Sequence, residues 1–429
     1  MGLPSRFSIA VLTASSATAA LVFGFGLPAQ AAAPAGTVSA APATWTPYLA
    51  SPNGYVKMIT KCGTMMYAVG TFSSVASPSQ SAVTRNNAFS FDSTSGAISS
   101  WNPNVNGTVN TITLSSDCSS AYLGGVFTTV GSTSAKDLAK VSTTTGAVDT
   151  TFGHTANGQV STLLLTGGHL LIGGYFTSVN NTATSYLGSL SPTTGKNDGY
   201  LTVPISGTLQ NDTTHIYKFE LSHAGTRLLA SGVFTSVGGQ AHQQILMLDL
   251  GSGAATLDPW YSSLFNGMCA STEEFYVKGF NWSPDDSTVY VATTGYKGAT
   301  LCDSAAAFPS SANSNQPMTW QNKTGCDSLY AVAATSTDVY IGGHERWANN
   351  PLGCDNAGPG AVSRPGIGDI NPTTGLATSW NPTRSRGQGV DDLYLDPSGN
   401  LWISSDNGNN QYTQCGGHYH PGICMFAHS

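Results

Sequence analysis

The sequence predicts an all-β fold, a seven-bladed β-propeller closed by pairing of its N- and C-terminal strands. Three observations carry that prediction. A heptapeptide of the form Gly-Gly-x-Phe-Thr-Ser-Val recurs with minor changes at 69–75, 124–130, 173–179 and 231–237. The copies lie roughly fifty to sixty residues apart, the spacing of propeller blades or similar arrays. Short apolar stretches alternate with tight-turn signals, and no segment shows helical periodicity. Finally, the start of the mature chain reads like the end of a repeat, the part that the last repeat lacks.

Residues 1–31 read as a secretory signal, with Arg6, an apolar stretch over 9–27 and the cleavage site Ala29-Gln30-Ala31. Residues 32–42 read as an Ala/Pro/Gly linker, and 43–429 as a single propeller. Each repeat begins with an apolar strand, as in Val109-Asn110-Thr111-Ile112 or Val160-Ser161-Thr162-Leu163. A second strand runs into the Gly-Gly pair, as at 169–174. A third enters a tight turn at 91–96, 141–146, 190–195, 248–253 and 370–375. There Asp, Asn or Ser bonds its own backbone and Gly takes the positive φ. A fourth strand ends in Trp, at Trp101-Asn102-Pro103, Asp258-Pro259-Trp260 and Trp380-Asn381-Pro382.

Three further second strands, at 288–292, 338–343 and 400–404, bring the count to seven. After the last of these only Ile423-Cys424-Met425-Phe426 remains, enough for a third strand. The segment Ala43-Thr44-Trp45-Thr46-Pro47 resembles the missing fourth, so Trp45 is expected to complete the last blade and leave no large sheet edge.

The Gly-Gly-x-Phe-Thr-Ser-Val repeat, followed by a Thr-Thr-Gly-Ala-Val-Asp-Thr-x-Phe segment at 144–152, resembles the delta-sixty or Rax2-like propeller repeats of secreted bacterial proteins. The match covers 55–260 and weakens beyond. The resemblance implies a propeller outside the cytoplasm and no uniform activity.

Charged residues make up 9% of the chain and the formal net charge is −7, so there is no basic footprint for nucleic acid. A released monomer, without membrane attachment after signal cleavage and without a cofactor, is expected. Eight cysteines in an exported chain point to disulfides. Cys62–Cys118 would bridge adjacent blades, and Cys415–Cys424 would close a short loop. Cys269–Cys302 and Cys326–Cys354 are the preferred remaining pairs, with Cys302–Cys326 as a rival. No Cys-x-x-Cys spacing suggests metal.

Long insertions at 344–364 and 406–422 mark one rim. They supply His344, Glu345, Arg346, Trp347, Asn350, Tyr412, His418 and His420 as candidate ligand-binding residues, an aromatic and polar mixture that suits a sugar or polar peptide. His418, His420 and His344 are candidate metal ligands. Asp391, Asp392, Asp327 and Glu274 open first strands and are candidate acid–base groups at a channel mouth. The Gly-Gly pairs read as devices for close approach of neighbouring blades, since no helix or lysine follows them as in a phosphate loop. The leading functional expectation is a secreted protein that binds glycan or cell-surface peptidic material through the rim loops of blades five to seven. A glycoside hydrolase or lyase using the rim carboxylates, and a structural envelope component, are the alternatives.

Overall fold

The computed structural model of the chain describes residues 1–2, 32–209, 212–269, 275–296, 300–406 and 414–429. The expected signal peptide falls almost wholly outside the described residues. Strands dominate, and the one helical element described is a 3-10 turn at Ser263–Asn266. No described helix is long and apolar enough to cross a membrane.

Among the described residues, seven antiparallel meanders hold the long strands. Sheet 1 comprises Tyr55–Cys62, Met65–Thr71 and Ala88–Asp92, and sheet 2 Thr108–Leu114, Ser120–Val126 and Leu138–Ser142. Sheet 3 comprises Val160–Thr166, His169–Gly174 and Leu187–Leu190. Sheet 4 has a full fourth strand: His215–Leu221, Arg227–Val233, Ile245–Leu250 and Ala255–Leu257. Sheet 5 does too, with Val277–Trp282, Thr288–Thr293, Ser304–Pro309 and Trp320–Lys323. Sheet 6 comprises Leu329–Ala334, Val339–Gly343 and Ile367–Ile370. Sheet 7 comprises Val390–Leu395, Leu401–Ser405, Ile423–His428 and, outermost, Val38–Pro42. In sheets 1, 2, 3 and 6 a single bridge marks the fourth position, at Ile98, Val148, Asn197 and Ala377.

Each first strand packs against the first strand of the next sheet, and that of sheet 7 packs back against that of sheet 1. The apolar core is divided in the same way, into seven buried clusters, one for each pair of neighbouring sheets. At the seam, Leu49, Val56, Phe89 and Phe91 meet Trp402, Ile423 and Met425. Second strands are covered on both faces, which is why they read as near-continuous apolar runs such as Leu170-Leu171-Ile172.

The terminal strand corrects two expectations. Residues 38–42, read as linker, form the strand that pairs with Ile423–His428, in the register Val38↔His428 and Pro42↔Phe426. Trp45 is not in that strand but three residues beyond it. The same interval separates Ile98 from Trp101, Leu257 from Trp260 and Ala377 from Trp380. After the strand, the indole of Trp101 or Trp260 reaches the next sheet, donating to the Ser142 carbonyl at 2.9 Å or the Pro309 carbonyl at 2.8 Å. Trp45 takes the corresponding place at the seam. Its ring lies edge-on to Trp402, with centroids 5.9 Å apart, and the Ala43 amide donates to the Met425 carbonyl at 2.8 Å.

Four disulfides join Cys62–Cys118, Cys269–Cys302, Cys326–Cys354 and Cys415–Cys424, and no cysteine is free. These are the pairs preferred from the positions of the cysteines in the repeats. Cys62–Cys118 ties sheet 1 to sheet 2, and the others pin loops.

Candidate functional site

In every first strand the pairing register slips by one residue near its start. The extra residues are Lys57, Asn110, Ser161, Tyr217, Lys278, Tyr330 and Asp391. A bulge leaves one residue outside the ladder and re-aims its side chain. All seven line a single cavity of about 690 Å³, well inside the range of small-ligand sites.

The Gly-Gly signature is the local cause of five of these bulges. A Cβ on the second glycine, at Gly70, Gly125, Gly174, Gly232 or Gly343, would overlap the carbonyl oxygen of Tyr55, Thr108, Gln159, His215 or Ser328. Each of those carbonyls lies two residues before the bulged one, so in these five sheets the strands approach too closely there for a side chain. In sheets 5 and 7 Thr293 and Ser405 hold the corresponding place, and the bulge forms beside them as well. The first glycine does the work expected of it from the sequence. A Cβ on Gly124, Gly173 or Gly342 would press on Val160, Ile216 or Val390 of the neighbouring sheet, at 2.5, 2.7 and 2.8 Å.

Gly174→Ala is therefore expected to cost about 1–3 kcal/mol through overpacking. Gly253→Ala, with open space around its Cβ, should be close to neutral. Urea unfolding midpoints compare the two, and equal midpoints would remove the second glycine's assigned role.

The ring is chemically mixed. Lys57 Nζ lies 3.0 Å from the Asp391 carboxylate. Beside the ring, Lys218 Nζ lies 2.8 Å from Asp392, an ion pair that joins the non-adjacent sheets 4 and 7 across the cavity. An aromatic wall runs from sheet 3 to sheet 5. Tyr175 stacks on His215 at 3.8 Å, His215 meets Tyr217 edge-on at 4.3 Å, and Tyr217 meets Tyr276 edge-on at 6.2 Å.

His215 Nδ1–H donates to the Thr213 carbonyl, and Nε2 accepts from the Tyr175 hydroxyl at 2.8 Å. That pattern fits a neutral imidazole, and burial lowers its pKa in the same sense. The Lys278 ammonium sits 3.1 Å from the centroid of Tyr217 and 5.3 Å from that of Tyr276. Burial pulls its pKa down to about 7, against the pull of Asp212.

Of the sequence-predicted acids, Asp391 and Asp392 do reach the cavity, but each is neutralised by a lysine and neither stands as a free base. Asp327 does not line the cavity. It is buried and gripped by Arg346 through Nε at 2.9 Å and Nη2 at 2.8 Å, and by Arg386 at 2.8 Å. Its expected convergence with the other acids is thus corrected: it ties the 344–364 insertion to the segment entering sheet 7. Glu274 and Tyr412 lie outside the described residues. A further cavity acid was missed, Glu220, whose carboxyl burial pushes up to about 7 and which accepts from Asn281 at 3.2 Å.

None of His344, Glu345, Arg346, Trp347, Asn350, His418 and His420 lines the cavity. Asn350 is spent on its own loop, bonding the Asn356 carbonyl and the Gly358 amide. Glu345 is fully buried, neither carboxyl oxygen has a hydrogen-bond partner among the described residues, and burial pushes its pKa up to about 8. Arg346 covers the Trp347 ring at 4.6 Å. His344 is partly buried, which lowers its pKa.

His420 is buried with its Nδ1 3.0 Å from the Thr46 hydroxyl, and burial, together with the charge of His418, takes it out of the charged range, to about 4. His418 is exposed, its ring 6.4 Å from that of His420. Among the described residues no three or more His, Cys, Asp or Glu side chains are placed to hold a metal ion. The expected trio of His344, His418 and His420 is not assembled.

The bulge residues carry a signal in the sequence. Each directly follows a buried aliphatic: Val56, Val109, Val160, Ile216, Val277, Leu329 and Val390. That aliphatic-then-variable pair recurs once per sheet.

No family model matches the chain, and no curated relative is found. Among solved structures, the extracellular domain of a B. thetaiotaomicron protein described as a one-component system matches 90% of this chain and 39% of its own. The identity is 12% and the TM-score 0.48. The computationally designed Ika8 protein matches 89% of this chain and 98% of its own, at 8% identity and a TM-score of 0.46. Likeness at this level carries no functional information.

Proposed function

We propose that the chain is a secreted, closed seven-bladed propeller that holds an extracellular glycan at the mouth of its central channel. The circular order of first strands and the seven core clusters between sheets support the propeller. Four disulfides and no free cysteine support an oxidising compartment. The observation that carries the binding role is the repeated bulge. It turns seven side chains of different chemistry toward one cavity, and bulges recur next to active sites, where they re-aim a side chain.

Phenol faces for the sugar ring and amide or hydroxyl groups for its hydroxyls are both present there, in Tyr217, Tyr330, Asn110 and Ser161. The site thereby moves from the rim loops around Trp347 to the channel.

A glycan array probed with wild-type protein, Ser161→Trp and Trp347→Ala tests the placement. Filling the mouth with Ser161→Trp should abolish binding, and Trp347→Ala should leave it intact. The reverse pattern, or no glycan bound, overturns the reading.

A further inference from the structure

One cation of the ring has no counter-ion among the described residues. The bulge level carries two lysines against one aspartate, and Lys57 takes the aspartate. Among the described residues Lys278 makes neither an ion pair nor a hydrogen bond. Its ammonium lies on the faces of Tyr217 and Tyr276 and borders the cavity. The carboxylate that acts on it from a distance, Asp212, is already engaged by the Tyr217 hydroxyl at 3.3 Å and the Thr213 amide at 2.7 Å. A half-dehydrated ammonium with no acceptor is costly, and an anion entering the cavity would relieve it.

Resting on the glycan reading above, we infer that the bound sugar is acidic and that Lys278 takes its carboxylate. A uronic acid presents an apolar ring face, several hydroxyls and one carboxylate within a single residue. The Tyr330 ring takes the sugar face, Asn110 and Ser161 take hydroxyls, and Lys278 takes the charge. The anion brings the bulge level to neutrality. A peptide C-terminus carries the same charge, but such termini are captured by nests of free backbone N–H groups. The first-strand N–H groups around this cavity belong largely to ladders.

Oligogalacturonate, oligoglucuronate and their methyl esters, titrated calorimetrically into the mature protein, test the inference. At least one free acid should bind wild-type protein tenfold or more tighter than its ester. Lys278→Met should erase that preference without lowering the melting temperature, and Lys278→Arg should keep it. Equal binding of acid and ester, or a preference that survives Lys278→Met, overturns the inference, and the ester comparison needs no variant to fold. So does failure of every uronate to bind, or tighter binding by a peptide with a free C-terminus. Neutral glycans blocked by Ser161→Trp but indifferent to Lys278 would sink the acidic-sugar assignment alone. Binding untouched by Ser161→Trp would sink the channel reading with it.

Discussion

Deleting residues 32–42 should cost about 5 kcal/mol and drive the protein to self-associate. The estimate combines the ladder hydrogen bonds of one short strand with the burial of Val38. The strand also bridges to sheet 6: the Val38 amide donates to the Tyr340 hydroxyl at 2.9 Å, and the Thr37 hydroxyl to Asp338 at 2.6 Å. Its loss bares the edge of Ile423–His428, an apolar, β-prone strand with no charge to repel a second chain. Scanning calorimetry should show a fall in Tm of about 6 °C, and gel filtration should show oligomers. A deleted chain that stays monomeric with an unchanged Tm would mean that the termini do not hold the ring together.

How far the sequence foretells this closure depends on what kind of signal each residue gives. That the two ends meet was legible, because the last repeat runs out after Ile423-Cys424-Met425-Phe426 and Trp45 imitates Trp101 and Trp380. Which residues make the strand was not. Val38-Ser39-Ala40-Ala41-Pro42 is small-residue-rich and weak in β propensity, and only pairing with Ile423–His428 makes it a strand. The Trp was mistaken for the strand because it is the conspicuous residue, whereas it marks the step onto the next sheet.

The candidate site was legible in a different and smaller measure. Disulfide partners were legible only in part: Cys62 and Cys118 sit in the same turn of adjacent repeats, whereas for Cys302 position favoured Cys269 and left Cys326 open. Asp391 and Asp392 lie on the first strand of sheet 7 and line the cavity. Long insertions drew attention to His344 through Arg364, yet length there serves packing: Asp327, Arg346 and Asn350 are consumed in holding the loop. The bulge ring escaped because its members share a backbone position and no residue type. Lys57, Ser161 and Tyr330 look unrelated until the carbonyl opposite each second glycine is seen.

Uronate binding should weaken about tenfold for each pH unit above roughly 7, with a flat plateau below. In the unliganded protein Lys278 loses its proton near pH 7, because burial disfavours the charged form. The groups facing it oppose one another. Asp212 favours the charge and Lys57 disfavours it, while Tyr217 stays neutral because burial raises its pKa. An anionic ligand prefers the ammonium, so binding takes up a proton wherever free Lys278 is neutral. The plateau ends only near pH 3–4, where the uronate carboxyl itself protonates.

The unliganded fold should respond with the opposite sign. A lysine depressed from 10.5 to about 7 burdens the folded state most at low pH, so stability rises as pH climbs between those values. Lys278→Arg, whose guanidinium keeps its charge, should bind with no break near pH 7 and thereby isolate the group. Calorimetric titrations at pH 5, 6, 7, 8 and 9 read the two binding effects, and urea unfolding at the same pH values reads the stability. A wild-type profile that stays level through pH 9, or an arginine variant with the same break, would remove Lys278 from the binding step.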